Sequence, residues 1–358
     1  TRRLSMSKAA ELAKMGEVLT NSQVGGRRNL LYNGAQTVAQ RATSVAGVGA
    51  SSGYHTVDRW RVFAEGTAGR LTMSQESITD LEGFAKATKL ACTTADTSLA
   101  ANELLIFSHA FEGQDLQGLQ KGFSTAKKVT VSFYVKANAS AKYVAELFDA
   151  DNTRSIQQTF DVTTSWNRIE LTFNADTTGK LDNDNALSFY FQIWLHGGSN
   201  YTSGTFTSNT WASNTEANRY AASSVTSIVD STDRTFFITG LQMEIGSQAT
   251  PFEHRSFGEE LALCQRYFYK WTNTGLDDQY NFYSPYSPAQ VTAGLPNSSA
   301  ISPHTFPVTM RASPTMTTTI SSGSLNRQTS TPFGFVAQMA STSTGTHYPT
   351  QYLASAEL

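Results

Sequence analysis

The sequence predicts a mainly β protein, an antiparallel β-sandwich flanked by a short N-terminal helix, a linking helix and a smaller C-terminal β domain. Short apolar runs are separated by Ser, Thr, Asn and Gly, the texture of many strands joined by turns. Several runs alternate in polarity, with Val129, Val131, Phe133 and Val135 on one side, which buries one face and wets the other. The links between runs have no room for the crossover helices of a parallel sheet.

Residues 1–28 read as a helix and a linker. Ser7 can cap a helix over Lys8–Leu19 whose Leu12, Met15 and Leu19 share one face. A short helix needs a packing partner. That partner is either a helix of a second copy, which makes the three residues trimer-contact candidates, or the helix's own domain. Asn21–Arg28, with Gly25 and Gly26, reads as a joint.

Residues 29–253 read as the sandwich. The strongest runs are Val57–Phe63, Leu71–Ile78, Lys86–Cys92, Lys128–Lys136, Tyr143–Phe148, Ile169–Phe173, Leu187–Leu195 and Thr235–Ile245. Asp149–Asn152, Thr178–Gly179 and Asp182–Asn185 supply turns. Residues 196–224 have no period and carry Tyr201, Phe206, Trp211 and Tyr220 in a polar matrix; long loops of this kind are often functional. Residues 254–358 read as a helix and a second β domain. Ser256 and Glu259 form a capping box for the helix, and Phe257, Leu261, Cys264 and Phe268 line one face. Eight of the nine prolines lie in the β segment that follows.

Charged residues make up 16% of the chain and the net charge is −2, so neither a basic nucleic-acid face nor a polybasic membrane patch is expected. No apolar run reaches the ~18 residues of a membrane span, and the start has no signal-peptide pattern. The chain opens on Thr1-Arg2-Arg3 rather than methionine, as a processed product or part of a longer chain would. Cys92 and Cys264 read as buried thiols rather than a disulfide framework.

Catalytic patterns are thin. Gly49–Gly53 matches G-x-S-x-G around Ser51, but without the strand–turn–helix setting of a nucleophile elbow, and reads as a loop. The six histidines show no metal-binding spacing. Asp149 with Asp151, and Asp182 with Asp184, read first as turn residues, with calcium as the alternative and a glycosidase pair behind it. The loop aromatics are the strongest functional feature. Rings meet the apolar faces of sugars while Asn, Ser and Thr meet the hydroxyls, so Tyr201, Phe206, Trp211 and Tyr220 are glycan-contact candidates. Packing against the sandwich or a neighbouring chain is the alternative.

Several segments resemble known families. Asn29-Leu30-Leu31-Tyr32-Asn33-Gly34 resembles the opening strand of carbohydrate-binding-module jelly rolls of the family 4/9/22 group. Val131–Ala137, Trp166 before Ile169–Phe173, and Phe237–Gly246 resemble later strands of the same fold. Thr250–Tyr267 and Phe306–Thr315 resemble segments that follow such jelly rolls in tail-fibre and related virion proteins of marine and cyanobacterial phages, and Lys8–Arg28 resembles the helix and linker before them. The resemblance implies an antiparallel jelly-roll β-sandwich in a homotrimeric virion fibre or tail protein that is not an enzyme. Its implied partners are itself, other virion proteins and a host-surface glycan, with no nucleic acid, membrane insertion or cofactor. Family members carry calcium-holding acidic residues after the opening Asn-Gly and in the closing strand. Ala35-Gln36 and Thr239-Gly240 stand there instead, so a structural calcium is not carried over. A structural virion component (capsid fibre, adaptor or decoration) is the second expectation and a polysaccharide depolymerase the third.

Overall fold

The computed structural model describes residues 27–272, 299–320, 324–340 and 349–358. The expected helix with Leu12, Met15 and Leu19 lies outside the described residues. The chain forms two compact units that divide between Arg255 and Ser256.

The first unit contains β1 (Ser44–Val48), β2 (Gly53–Tyr54), β3 (Trp60–Glu65), β4 (Arg70–Ser77), β5 (Lys86–Thr94), β6 (Leu104–Glu112), β7 (Val129–Ala137), β8 (Ala141–Asp149), β9 (Arg154–Val162), β10 (Asn167–Phe173), β11 (Leu187–Gly197), β12 (Ala212–Ser213) and β13 (Thr235–Ile245). A six-stranded sheet has the order β1-β4-β5-β13-β7-β10, and a seven-stranded sheet the order β12-β9-β8-β11-β6-β3-β2. The ladders are antiparallel. The chain switches sheets between β1 and β2, β3 and β4, β5 and β6, β6 and β7, β7 and β8, β9 and β10, β10 and β11, and β12 and β13, giving the expected jelly-roll sandwich.

Alternation along the strands builds the core. Met73, Leu90, Val131, Phe133 and Phe236 from one sheet meet Trp60, Phe107, Leu147 and Phe191 from the other. Trp60 stacks on Phe107 with ring centroids 4.9 Å apart. Each such side chain contributes about 1.5–3 kcal/mol by leaving water.

Two expectations change. The opening segment 29–34 is not a ladder strand. Leu30 N–H donates to the Met243 carbonyl, and buried amides secure the rest. Asn29 Oδ1 accepts from the backbone N–H groups of Leu31 and Met243. Gln36 donates to the Asn33 carbonyl and accepts from Thr88 Oγ1. A Cβ at Gly34 would strike the Leu241 carbonyl, which requires glycine. The second change concerns β6 and β9, absent from the expected strands. β6 is buried along its whole length, so it shows no alternation. At Thr239-Gly240 the closing strand β13 is irregular against β7, and Gly240 takes a φ of +63°, a bulge that glycine accommodates.

In the second unit a helix runs from Phe257 to Gln265, and the Ser256–Glu259 capping box is present. Cys264 is buried on the helix, whereas Phe257 is exposed and Phe268 begins a strand. Six strands follow: β14 (Phe268–Thr272), β15 (Ser299–Thr305), β16 (Thr315–Ile320), β17 (Ser324–Thr331), β18 (Gly334–Ala340) and β19 (Pro349–Ser355). They form two three-stranded sheets, β14-β19-β16 and β15-β18-β17, around Phe306, Met310, Phe335 and Tyr352. Neither Cys92 nor Cys264 forms a disulfide, and both are buried.

His109 sets a pH dependence. It is fully buried between Trp60 and Phe111, and its Nε2 accepts from the Tyr32 backbone N–H. Burial, reinforced by the charges of Arg59 and Arg255, holds its pKa well below 6.5. The unfolded chain therefore binds the extra proton first as pH falls below about 6.5. Stability is full above that pH and declines below it, by about 1.4 kcal/mol per pH unit from this one group. His55, His196 and His304 are also held below 6.5 by burial, so urea unfolding between pH 7 and pH 5 is expected to show at least that slope, and His109→Gln to reduce it by His109's share.

Candidate functional site

The outward face of the seven-stranded sheet carries a polar row at one register level. Arg61 pairs with Ser108, Ser108 with Gln192, Gln192 with Glu146, and Glu146 with Gln157. The row crosses β3, β6, β11, β8 and β9. Apolar residues flank it. On one side lie Phe63, Ile106, Trp194 and Val144; on the other lie Tyr190 and Phe148, directly opposite each other. Period-two alternation alone aligns these side chains on one face.

The long loop after β11 covers half of this face. Tyr201 and Tyr220 pack on Trp194, Leu104, Ile106 and Val144, with Phe206 partly buried beside them. Trp194 lies 5.2 Å from the Tyr201 ring and 5.8 Å from Tyr220, stacked on the latter. Burial pushes the Tyr220 phenol far above its usual range, and its hydroxyl donates to the Thr226 carbonyl. Tyr201 and Tyr220 therefore anchor the loop and present no ring to solvent.

Arg219, also from the loop, locks it to the polar row. Its guanidinium donates to Glu146 through Nε (3.0 Å) and Nη2 (2.8 Å), and to Gln192 Oε1 at 2.9 Å. It lies 4.8 Å from the ring centroids of both Phe148 and Trp194. Glu146 is wholly buried and also accepts from Trp194 Nε1 and Gln157 Nε2. The outer edge of the loop adds β12 to β9.

Trp211, the remaining glycan-contact candidate, lies elsewhere. Its ring is half-buried over the Lys121 ammonium at 5.1 Å, and its Nε1 donates to the Asn174 carbonyl. Lys121 explains the fate of the calcium candidate Asp149. Its ammonium is paired with the Asp149 carboxylate, with Asp176 at 3.0 Å, and with the carbonyls of Thr178 and Gly179, each at 3.0 Å. Asp149 is fully buried. This oxygen cage is of the type that binds a hard cation, and the lysine's own charge fills it. Asp151 accepts from the Asp182 backbone N–H and Asp184 from that of Ala186; Asp182 is exposed. These are turn roles. Among the described residues, no group of three or more His, Cys, Asp or Glu side chains could hold a metal ion. Ser51 lies in the loop between β1 and β2.

What the loop leaves open is a cleft of about 150 Å³ lined by Arg61, Phe63, Ser108, Phe148, Tyr190, Gln192 and Arg219, with Leu104 and Ile106 at its floor. Phe63, Phe148 and Tyr190 are half-buried, so each combines a fixed position with an accessible edge or face. The cleft couples apolar rings with directed donors, the composition of a small-ligand site. Arg61, Phe63, Phe148, Tyr190 and Gln192 fall in expected strands, whereas Leu104, Ile106, Ser108 and Arg219 do not, and none was a site candidate. The signal available was the alternation of Tyr190, Gln192 and Trp194 against Phe189, Phe191 and Ile193.

No family model and no curated protein matches the sequence. Among solved structures, similarity is found to a family 4 carbohydrate-binding module (11% identity, TM-score 0.32, covering 60% of this chain and 97% of that one). It extends to a family 11 module from Clostridium thermocellum in complex with a β-1,3-1,4-mixed-linked tetrasaccharide (10% identity, TM-score 0.29, 58% and 99%). A family 61 module in complex with β-1,4-galactotriose is also similar (11% identity, TM-score 0.30, 61% and 99%).

Arg219→Ala is expected to cost about 3–5 kcal/mol in urea unfolding, because it leaves a buried carboxylate uncompensated. Hydrogen exchange in residues 199–222 should rise with it. Removing both charges, in Arg219→Met with Glu146→Gln, should recover most of that loss.

Proposed function

We propose that this chain is a virion protein of the phage tail-fibre type that binds a host-surface glycan, and that the glycan sits in the cleft on the seven-stranded sheet. The observation that supports the binding reading is the cleft's composition. Tyr190, Phe148 and Phe63 offer ring surface to the C–H faces of a sugar, while Ser108 and Gln192 lie within the same register row as hydrogen-bonding partners for its hydroxyls. Rigid strands carry all five, which spares the ordering cost that a loop-borne site would incur on binding. The loop aromatics Tyr201 and Tyr220 serve this reading indirectly, by anchoring the loop whose Arg219 lines the cleft. The virion setting rests on the resemblance of Thr250–Tyr267 and Phe306–Thr315 to segments of phage fibre proteins.

Binding without turnover is part of the proposal. Neither Arg219 nor Glu146 is available as an acid or base, since each is committed to the other. Glycan-array and calorimetric titration of the full chain are expected to show binding, with Tyr190→Ala and Phe148→Ala each weakening it about tenfold, as truncation of a buried aromatic contact does. Reducing ends should not accumulate when the chain is incubated with the bound polysaccharide. Absence of binding to any glycan, or full binding by both variants, would overturn the assignment.

The proposal includes a homotrimer, in which three weak sites on one body gain avidity without new contacts. Multi-angle light scattering of the full chain should give three times the chain mass of 39.0 kDa. A monomer would remove this part.

A further inference from the structure

The lining of the cleft is unbalanced in charge. Arg61 and Arg219 both line it, and no carboxylate does. The two arginines differ. Arg219 is neutralised by Glu146 beneath it and by Glu216 at 3.4 Å. Arg61, among the described residues, has neither an ion pair nor a hydrogen bond. Its Nε is buried without a partner. Its guanidinium lies 5.2 Å from the Phe63 centroid and 5.9 Å from that of Tyr54, the residue opposite it on the edge strand β2. Aromatic rings hold a cation in place by attraction to the π face, yet they leave its N–H donors unused. The buried Nε is a donor left unsatisfied, which is costly unless something accepts from it.

Two neighbours reinforce this. Ser108, directly beside Arg61 in register, is 1% exposed, and its Oγ has no hydrogen-bond partner. Gln192, next in the row, gives its Oε1 to Arg219, which leaves its NH₂ group as the part that can serve a ligand. The cleft therefore offers a guanidinium, a hydroxyl and an amide NH₂ in sequence across three adjacent strands. It contains no carboxylate to receive the donor hydrogens of a neutral sugar.

We propose that the cleft selects an acidic sugar, one whose carboxylate is received by Arg61 while Ser108 and Gln192 bind oxygens of the same residue. This rests on the glycan-binding reading above and adds the class of sugar. The planar fork of arginine matches a carboxylate in two parallel hydrogen bonds, and such charge-assisted bonds are about twice as strong as neutral ones. The cleft's size suits this, since about 150 Å³ falls short of the ~300–1,000 Å³ of sites for larger ligands. It takes one sugar residue, with the rest of the glycan outside. Sulfate esters share the anionic chemistry but are tetrahedral, so they form a separate arm of the test.

The experiment compares matched oligosaccharides ending in glucose, in glucuronate, or in a glucose sulfate ester, each titrated calorimetrically against the full chain at low and high salt. The glucuronate ligand is expected to bind about tenfold tighter than the neutral one at low salt, with the preference shrinking as salt rises. Arg61→Gln, checked for an unchanged melting temperature, should collapse the ratio of acidic to neutral affinity towards one. Tyr190→Ala should weaken both ligands while keeping that ratio. Equal binding of acidic and neutral sugars, or a preference that survives Arg61→Gln, overturns this inference and leaves glycan binding standing. A preference confined to the sulfate ester overturns the carboxylate assignment. If none of the three ligands and no glycan on an array binds, the glycan reading fails and this inference with it.

Discussion

Glu146 is the residue on which the outer face of the sandwich depends. A carboxylate at the centre of a sheet, with no solvent, is tolerated only when paired and fully hydrogen-bonded. Trp194 and Gln157 supply two of its bonds from the sheet, and Arg219 supplies the rest from the loop. The loop has to come to the sheet for Glu146 to be buried there, and once it comes, Tyr201 and Tyr220 are pressed onto Trp194. The extent of the cleft is the complement of that cover. A face with an apolar half at Leu104, Ile106, Val144 and Trp194 and a mixed half at Arg61, Ser108, Gln192 and Tyr190 is divided by one ion pair.

The same economy recurs elsewhere in the first unit. Asp149 and Asp176 are neutralised by Lys121, within an oxygen cage, together with Arg154 on Asp176. Asp58 is met by Arg41 at 3.3 Å. The opening segment is tied by Asn29, Asn33 and Gln36 through amide hydrogen bonds. Buried polar positions of this unit are thus served by side chains that carry their own charge or their own donors. Against this background Arg61 is the arginine of the cleft whose charge meets rings rather than a carboxylate.

Much of the fold was legible in the sequence because burial of one sheet face imposes a period of two. Val129, Val131, Phe133 and Val135 announce β7 that way, and Ser256 with Glu259 announces the helix of the second unit through local hydrogen bonding. β6 was not legible, since the loop covers Leu104 and Ile106 on its outer face, the core covers its inner one, and Leu104 to Glu112 is buried throughout. The opening Asn29–Gly34 departs from a ladder strand for a different reason. Asn29 bonds the closing strand through its side-chain amide in place of a regular ladder, and Asn33 turns the chain at a φ of +56°.

The candidate site divides along the same line. Sequence alone determined that the loop carries four aromatics in a polar matrix, that paired aspartates occupy turns, and that the strands around them have one wet face. Those are properties of composition and of neighbours in the chain. Only the tertiary structure decided that Tyr201 and Tyr220 face inward, that Lys121 fills the cage around Asp149, and that Arg61, Ser108 and Gln192 stand side by side. These three residues are separated by at least 47 positions and become neighbours only through strand register. A ladder's register is set by the packing of the whole sheet and not by any single strand. Arg219 could not be read as the loop's anchor until the carboxylate it pairs with, 73 residues away, was brought beneath it.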